Sequence, residues 1–134
     1  MLLKHPCGRR PATALTTGVD IVEIERVEAA IARRGERFLR RIYTDAEIAL
    51  YRGRISELAV RFAAKEATMK ALGTGIRGVG WRDIEVLPNR RGKPLLYLHG
   101  RARERADALG ITDLAISLSH SRDFAIASVV GTMA

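Results

Sequence analysis

Arg61-Phe62-Ala63-Ala64-Lys65-Glu66-Ala67-Thr68-Met69-Lys70-Ala71-Leu72-Gly73-Thr74-Gly75 is the segment around which the rest of this 134-residue chain is arranged. Ala, Lys, Glu, Met and Leu are strong helix formers, and the apolar positions Phe62, Ala63, Ala67, Ala71 and Leu72 recur at helical spacing. Gly73 and Gly75 supply a stop signal. The stretch predicts a helix with one packed face, starting at Ile55 or Ser56 and closing at Gly73.

On that helix Glu66 and Lys70 share a face with Phe62, while Lys65 and Met69 share the adjacent stripe. Two readings stand side by side. Glu four residues before Lys is the favourable order for a surface pair, which stabilises an isolated helix by roughly 0.2 to 0.5 kcal/mol. Alternatively, Glu66 holds a hard cation while the lysines and the glycine-rich end meet phosphates, since carboxylate oxygen suits magnesium and ammonium suits phosphate. Spacing does not choose between them.

Composition narrows the classes. A chain of 134 residues suits one domain, and 47% hydrophobic with 28% charged residues is the balance of a globular protein. No apolar run is long enough to span a bilayer. The net charge of +8 implies an acidic partner, nucleic acid or protein. Trp81, three Tyr and three Phe are scattered, without the basic and aromatic interleaving that stacks bases, which disfavours nucleic acid. A single Cys7 and the lack of a signal peptide point to a reducing cytoplasm. Residues 1–14, with Lys4, Arg9 and Arg10 alongside Pro6 and Pro11, read as a basic extension ahead of a single domain over 15–134.

Outward from the central helix, Leu15 to Ile21 suits a strand in which Gly18 marks a bulge or a close backbone approach. Asp20 stands at its apolar end, where capping the next helix is one role open to it. Ile24, Val27, Ala30 and Ile31 give a helix over Glu23 to Arg34, with Gly35 as a break before Arg37, Arg40 and Arg41. Thr44-Asp45-Ala46-Glu47 has the form of a capping box for a helix from Asp45 to Tyr51. Arg61 precedes Lys65 by one turn and reads equally as a phosphate contact or as an exposed structural charge. Gly73 to Gly80 reads as a flexible loop, and Trp81 to Leu87 with Leu95 to His99 as strands flanking a turn. A helix from Arg101 closes at Gly110. Leu114, Ile116 and Leu118 alternate in a half-buried strand that ends at His120, and Phe124 to Val130 returns as its partner. Ser119 and His120 thus stand at a hairpin tip, where side chains reach ligands.

Phe62-Ala63-Ala64-Lys65-Glu66-Ala67 followed by Lys70-Ala71-Leu72-Gly73-Thr74-Gly75 resembles the signature of the holo-acyl-carrier-protein synthases, the small 4′-phosphopantetheinyl transferases. Gly18-Val19-Asp20-Ile21 followed by Arg26 resembles that family's N-terminal motif, and Ile116-Ser117-Leu118-Ser119-His120-Ser121 its C-terminal one. All three stand in the family's order, over roughly Thr17 to Val130. The resemblance implies an α+β fold, a small antiparallel sheet with helices packed on one side. It implies transfer of 4′-phosphopantetheine from coenzyme A to a serine of apo acyl carrier protein, with Asp20 and Glu66 as ligands of Mg2+. Two carboxylates suffice for magnesium when waters and phosphate oxygens complete its octahedron. By the same resemblance Lys70, with Lys65, neutralises phosphate charge; Arg61, Gly73, Gly75, Ser119 and His120 contact coenzyme A; and Arg26, Arg37 and Arg41 dock the acidic carrier. Glu66, a metal-bound water and His120 all stand open as the base. A homotrimer with sites between subunits is also implied. The other classes are a non-catalytic carrier-binding subunit and a basic nucleic-acid module.

Overall fold

The computed structural model describes residues 14–134. The expected basic extension therefore lies outside the described residues, apart from Ala14, which opens the first strand. The elements run β1 (Ala14–Glu23), α1 (Ile24–Arg34), α2 (Glu36–Ile42), α3 (Asp45–Tyr51), α4 (Ile55–Leu72), α5 (Gly75–Gly78), β2 (Ile84–Pro88), β3 (Pro94–Leu98), α6 (Gly100–Leu109), β4 (Ile111–His120) and β5 (Phe124–Met133). The strands form two antiparallel sheets, β1-β5-β4 with β5 central, and the hairpin β2-β3. This is the expected α+β architecture.

Helix α4 lies across the inner face of the three-stranded sheet. Ala63, Ala64, Ala67 and Ala71 share a core cluster with Ala127 and Val129 of β5, small residues that let helix and sheet approach closely. The approach is tightest at Gly18, where a Cβ would stand 1.9 Å from the carbonyl oxygen of Ala67. The sequence predicts one packed face for this helix, yet its last two turns and much of its first half are buried on several sides. From Leu58 onward only Phe62, Glu66 and Lys70 escape burial. They are spaced by four and form a single open stripe.

The helix is held at its C-terminus by partners from three directions. Lys70 O accepts from Gly73 N at 3.1 Å and Met69 O from Thr74 N at 3.2 Å. Thr16 Oγ1 of β1 donates to Ala71 O at 2.7 Å, and Arg105 Nε of α6 to Leu72 O at 3.0 Å. Every carbonyl of that last turn thus has a partner, the condition for ending a helix inside a packed structure.

The capping box at Thr44 forms as expected, with Glu47 N donating to Thr44 Oγ1 and Thr44 N to Glu47 Oε1. Two local expectations are corrected. Trp81 opens a 3-10 turn over Trp81–Asp83, not a strand, because its ring stacks on Phe62 at 4.9 Å and the Asp83 carboxylate accepts from Gly80 N at 3.0 Å. The stretch Gly73 to Gly80 contains the helical turn α5 and ends on buried Val79, so it is anchored at both ends.

The strands alternate as half-buried strands do. Ala125, Ala127 and Val129 of β5 face α4, while Phe124, Ile126 and Val130 face outward with Leu15, Val19 and Ile21 of β1. No helix of the chain covers that outer face among the described residues, and Leu15, Val19 and Ile21 each expose more than half their surface.

Candidate active site

The open stripe of α4 meets Asp20. Because Gly18 lets β1 lie against α4, Asp20, two residues on and pointing the same way, reaches the stripe. Lys70 Nζ donates to Asp20 Oδ1 at 3.0 Å and to Val19 O at 2.9 Å. Asp20 stands beside Glu66, whose carboxyl is pushed up to about 7. Burial is the largest cause, followed by the hydrogen bond with Asp20 and its charge, while Lys70 and Arg26 pull the other way.

Arg26 of α1 closes the other side. With Asp20 and Glu66 it lines a cleft of about 420 Å³ whose apolar wall includes Val27, Phe62 and Phe124. Arg33 and Phe38 connect this cleft to a broader groove of about 680 Å³, floored by the Phe62 and Trp81 rings and edged by Arg34, Arg37 and Arg41. The three arginines expected to dock an acidic partner thus border one continuous depression that begins at the carboxylate pair.

The donor set fits a hard divalent cation. The carboxylates converge at the edge of an open cleft, Glu66 is held up to about 7 mainly by burial and then by the neighbouring Asp20, a cost that a cation between them would offset, and Lys70 supplies positive charge beside Asp20. Among the described residues no cluster of three or more His, Cys, Asp or Glu occurs. A fully protein-made cage is therefore not what these side chains build.

The remaining expected contacts fall elsewhere. Arg61, Ser119 and His120 line a second cleft of about 430 Å³, whose other wall is Gly92, Lys93 and Pro94 from the turn of the β2–β3 hairpin. This cleft shares no residue with the first. Lys93 and Pro94 escape sequence reasoning, because a turn motif does not reveal what its tip packs against. Arg61 is neither exposed nor free. Its guanidinium lies 3.7 Å over the Tyr51 ring and donates to Tyr51 Oη at 2.7 Å and to Val86 O at 3.2 Å, leaving it as a wall of the cleft. Gly73, which ends α4, and Gly75, which opens α5, stand just beyond Lys70 with φ of 71° and 61° and lie outside both linings.

Lys65 is the correction. Expected beside the phosphates, it has no solvent exposure and points away from Asp20, pairing with the equally buried Glu47 at 2.8 Å. It also donates to the carbonyls of Trp81 and Ile84. Burial pulls its pKa down and the Glu47 carboxylate opposes that. The physical reason is the helix itself, since residues 65 and 66 project from adjacent flanks and only the flank of Glu66 is open. The capping box marks Glu47 only as a helix-starting residue, and that short-range motif carries no sign of a buried partner.

An α+β domain in which a strand carboxylate and a helix carboxylate meet in a cleft, with a lysine paired to the first and a basic groove alongside, has the parts of a metal-assisted phosphoryl-transfer site. Comparison with known proteins gives the family. The model of the 4′-phosphopantetheinyl transferase superfamily matches residues 16–128, and the chain belongs to that superfamily. It is 52% identical over 124 residues to the holo-[acyl-carrier-protein] synthase of Herpetosiphon aurantiacus, covering 87% of this chain and 98% of that one. With the Dehalococcoides mccartyi holo-[acyl-carrier-protein] synthase the identity is 51% over 116 residues, with 87% and 97% covered. Its fold is similar to that of the Helicobacter pylori holo-[acyl-carrier-protein] synthase in complex with coenzyme A (TM-score 0.79, 38% identity, 86% and 98% covered). It is likewise similar to that of the Bacillus anthracis synthase in complex with CoA (3′,5′-ADP) (TM-score 0.75, 36% identity, 92% and 100% covered). Within the superfamily the chain is a member of the holo-[acyl-carrier-protein] synthase family.

Proposed function

We propose that this chain transfers 4′-phosphopantetheine from coenzyme A to a serine hydroxyl of an apo acyl carrier protein. A serine oxygen–phosphorus bond forms, the bond within the pyrophosphate breaks, and 3′,5′-adenosine bisphosphate leaves. The meeting of Asp20 and Glu66 in one cleft, with Lys70 paired to Asp20 beside it, is the observation that carries this reading. Asp20 and Glu66 would hold Mg2+, which when bound supplies neutralisation of the pyrophosphate. Lys70, with its ammonium already at the carboxylate pair, swings to a phosphate oxygen and stabilises charge that grows during transfer. Glu66 lines the cleft of the carboxylate pair and His120 the other one, which supports Glu66 rather than His120 as the side chain that takes the serine proton. Arg26, Arg37 and Arg41 meet the acidic carrier along the groove, and Arg61, Ser119, His120, Lys93 and Pro94 receive the adenosine bisphosphate half of coenzyme A. Gly73 and Gly75 contribute at most backbone groups beyond Lys70.

One observation bears on assembly. The uncovered sheet face with Leu15, Val19, Ile21, Ile126 and Val130 is an apolar patch of the kind that mates with another copy. We infer a homotrimer in which the second cleft of one subunit adjoins the carboxylate pair of its neighbour, and a cytoplasmic site of action. No helix of the described residues is long and apolar enough to cross a membrane.

Incubation of the protein with coenzyme A, Mg2+ and an apo carrier, followed by weighing the carrier, tests the function. Gain of one phosphopantetheine is the expected result. No gain overturns the reading: carrier bound but unmodified would mark a binding subunit, and duplex DNA bound with steep salt dependence a nucleic-acid module.

A further inference from the structure

The β2–β3 hairpin presents to α4 an edge that no strand of the described residues covers. Strand β2 pairs with β3 on one side only, and on the other side its backbone groups are met by side chains. Val86 N donates to Glu47 Oε2 at 2.8 Å, and Val86 O accepts from Arg61 Nε at 3.2 Å. Ile84 O accepts from Lys65 Nζ, which also pairs with Glu47 Oε1 at 2.8 Å. A buried amide or carbonyl without a partner is costly, so Glu47, Arg61 and Lys65 stand in for a missing neighbouring strand. The turn of this same hairpin carries Gly92, Lys93 and Pro94, which wall the second cleft across from Ser119 and His120.

We propose that Lys65, paired with Glu47, is a positioning residue: it fixes the β2–β3 hairpin to α4 and so sets the shape of the second cleft, without itself touching a phosphate. The proposal rests on the reading of that cleft as the coenzyme site. It assigns the family motif's first lysine a task different from that of Lys70, its second. Lys70 acts on the reacting groups from the open stripe, and Lys65 acts through the hairpin from the buried side.

Lys65→Met keeps the length of the side chain and removes the ammonium. The expected result is faster amide hydrogen exchange across Ile84–Pro88 and a KM for coenzyme A raised by about tenfold, with kcat at saturating coenzyme within about twofold and the KM for the carrier unmoved. A fall in kcat with unchanged exchange in the hairpin would place Lys65 on a phosphate and overturn the proposal. An unpaired buried carboxylate can unfold a chain, so Lys65→Leu combined with Glu47→Leu is the second variant, free of buried charge. It still leaves Val86 N and Ile84 O without partners, and the raised KM for coenzyme persists. A double variant with the parent KM sinks the proposal. The unmodified protein provides a third measurement: saturating coenzyme A slows exchange at the Val86 amide about tenfold more than at the amides of α6, which lines neither cleft. Equal slowing at both overturns it. If the unmodified chain transfers nothing, the proposed function itself falls, whereas normal transfer with an unmoved KM removes only the role of Lys65.

Discussion

Gly18→Ala adds one methyl group at the point where β1 meets α4. The new Cβ would stand 1.9 Å from the Ala67 carbonyl oxygen and 2.9 Å from both the Ala67 carbonyl carbon and the Ala71 amide nitrogen. All three are backbone atoms, so no change of rotamer relieves the clash. Ordinary contact begins at 3.4 Å, which requires strand and helix to part by about 1.5 Å at this position. Gly18 is absent from the positive-φ glycines, so alanine can adopt its backbone conformation and the cost is steric alone. Overpacking of this kind costs about 1 to 3 kcal/mol, which for a domain of this size lowers the melting temperature by roughly 3 to 12 °C. The functional cost is larger. Asp20 is two residues away on the same side of β1, and displacement of a reacting constellation by about 1 Å reduces turnover about 100-fold. The assay is transfer to apo carrier at saturating coenzyme A and Mg2+, with the melting curve followed by circular dichroism. Adding Ala67→Gly does not rescue the variant, because the obstacle is the carbonyl of residue 67 and not its methyl group. Turnover within about threefold of the parent, with the melting temperature unchanged, would refute the argument that Gly18 sets the distance between the two carboxylates.

Asp20→Asn and Glu66→Gln each abolish most transfer while leaving the melting curve close to that of the parent, since an amide keeps the shape and loses the charge a hard cation needs; the check is rate against Mg2+ concentration in the folded variants. Lys70→Ala retains magnesium-dependent coenzyme binding and loses two to three orders of magnitude in turnover, about what one electrostatic stabiliser contributes, read by calorimetry beside single-turnover rates. Charge reversal at Arg26 or Arg37 raises the KM for the carrier and spares coenzyme binding, an effect that added salt imitates in the parent. The pH dependence follows from Glu66. Its folded-state pKa is raised from 4.5 to about 7, so between those values the metal-free folded chain holds a proton that the unfolded chain lacks. Its contribution to stability is therefore lost as pH rises through that window. In the presence of a chelator, the melting temperature of the parent falls relative to Glu66→Gln between pH 5 and about 7, and magnesium affinity weakens as pH drops below about 7 because the metal must displace the proton.

Much of this arrangement is legible in the sequence, and the parts that are not share a physical cause. The Thr44 capping box, the glycine that ends α4 and the alternation of Leu114, Ile116 and Leu118 are local rules, satisfied by atoms within one element, and each appears in the structure where the sequence places it. The closeness demanded by Gly18 is legible too, though only as a close approach; that the approaching backbone belongs to Ala67 is a tertiary fact. The two-cleft division of Arg61, Ser119 and His120 from Asp20, Glu66 and Lys70 is not legible. Nothing in the spacing of the motifs says that the C-terminal hairpin and the β2–β3 turn enclose a volume apart from the carboxylates.

The divergent fates of Lys65 and Lys70 show where pattern reading stops. At about 100° per residue, Glu66 and Lys70 project within about 40° of each other, whereas Lys65 and Lys70 are separated by about 140°. The two lysines therefore leave the helix from different flanks, and that much follows from counting residues. Counting does not say which lysine faces solvent. Both flanks carry Ala and a charge, so neither advertises itself as core. What decides is the placement of Glu47 on α3 and of the bare β2 edge, which give Lys65 a carboxylate and a backbone carbonyl in the interior. Lys70 finds Asp20 at a side chain that stays 56% exposed. A buried ammonium survives only with such partners, so the structure around Lys65 has to be built for it, while an exposed Lys70 requires nothing and stays free to act on a ligand.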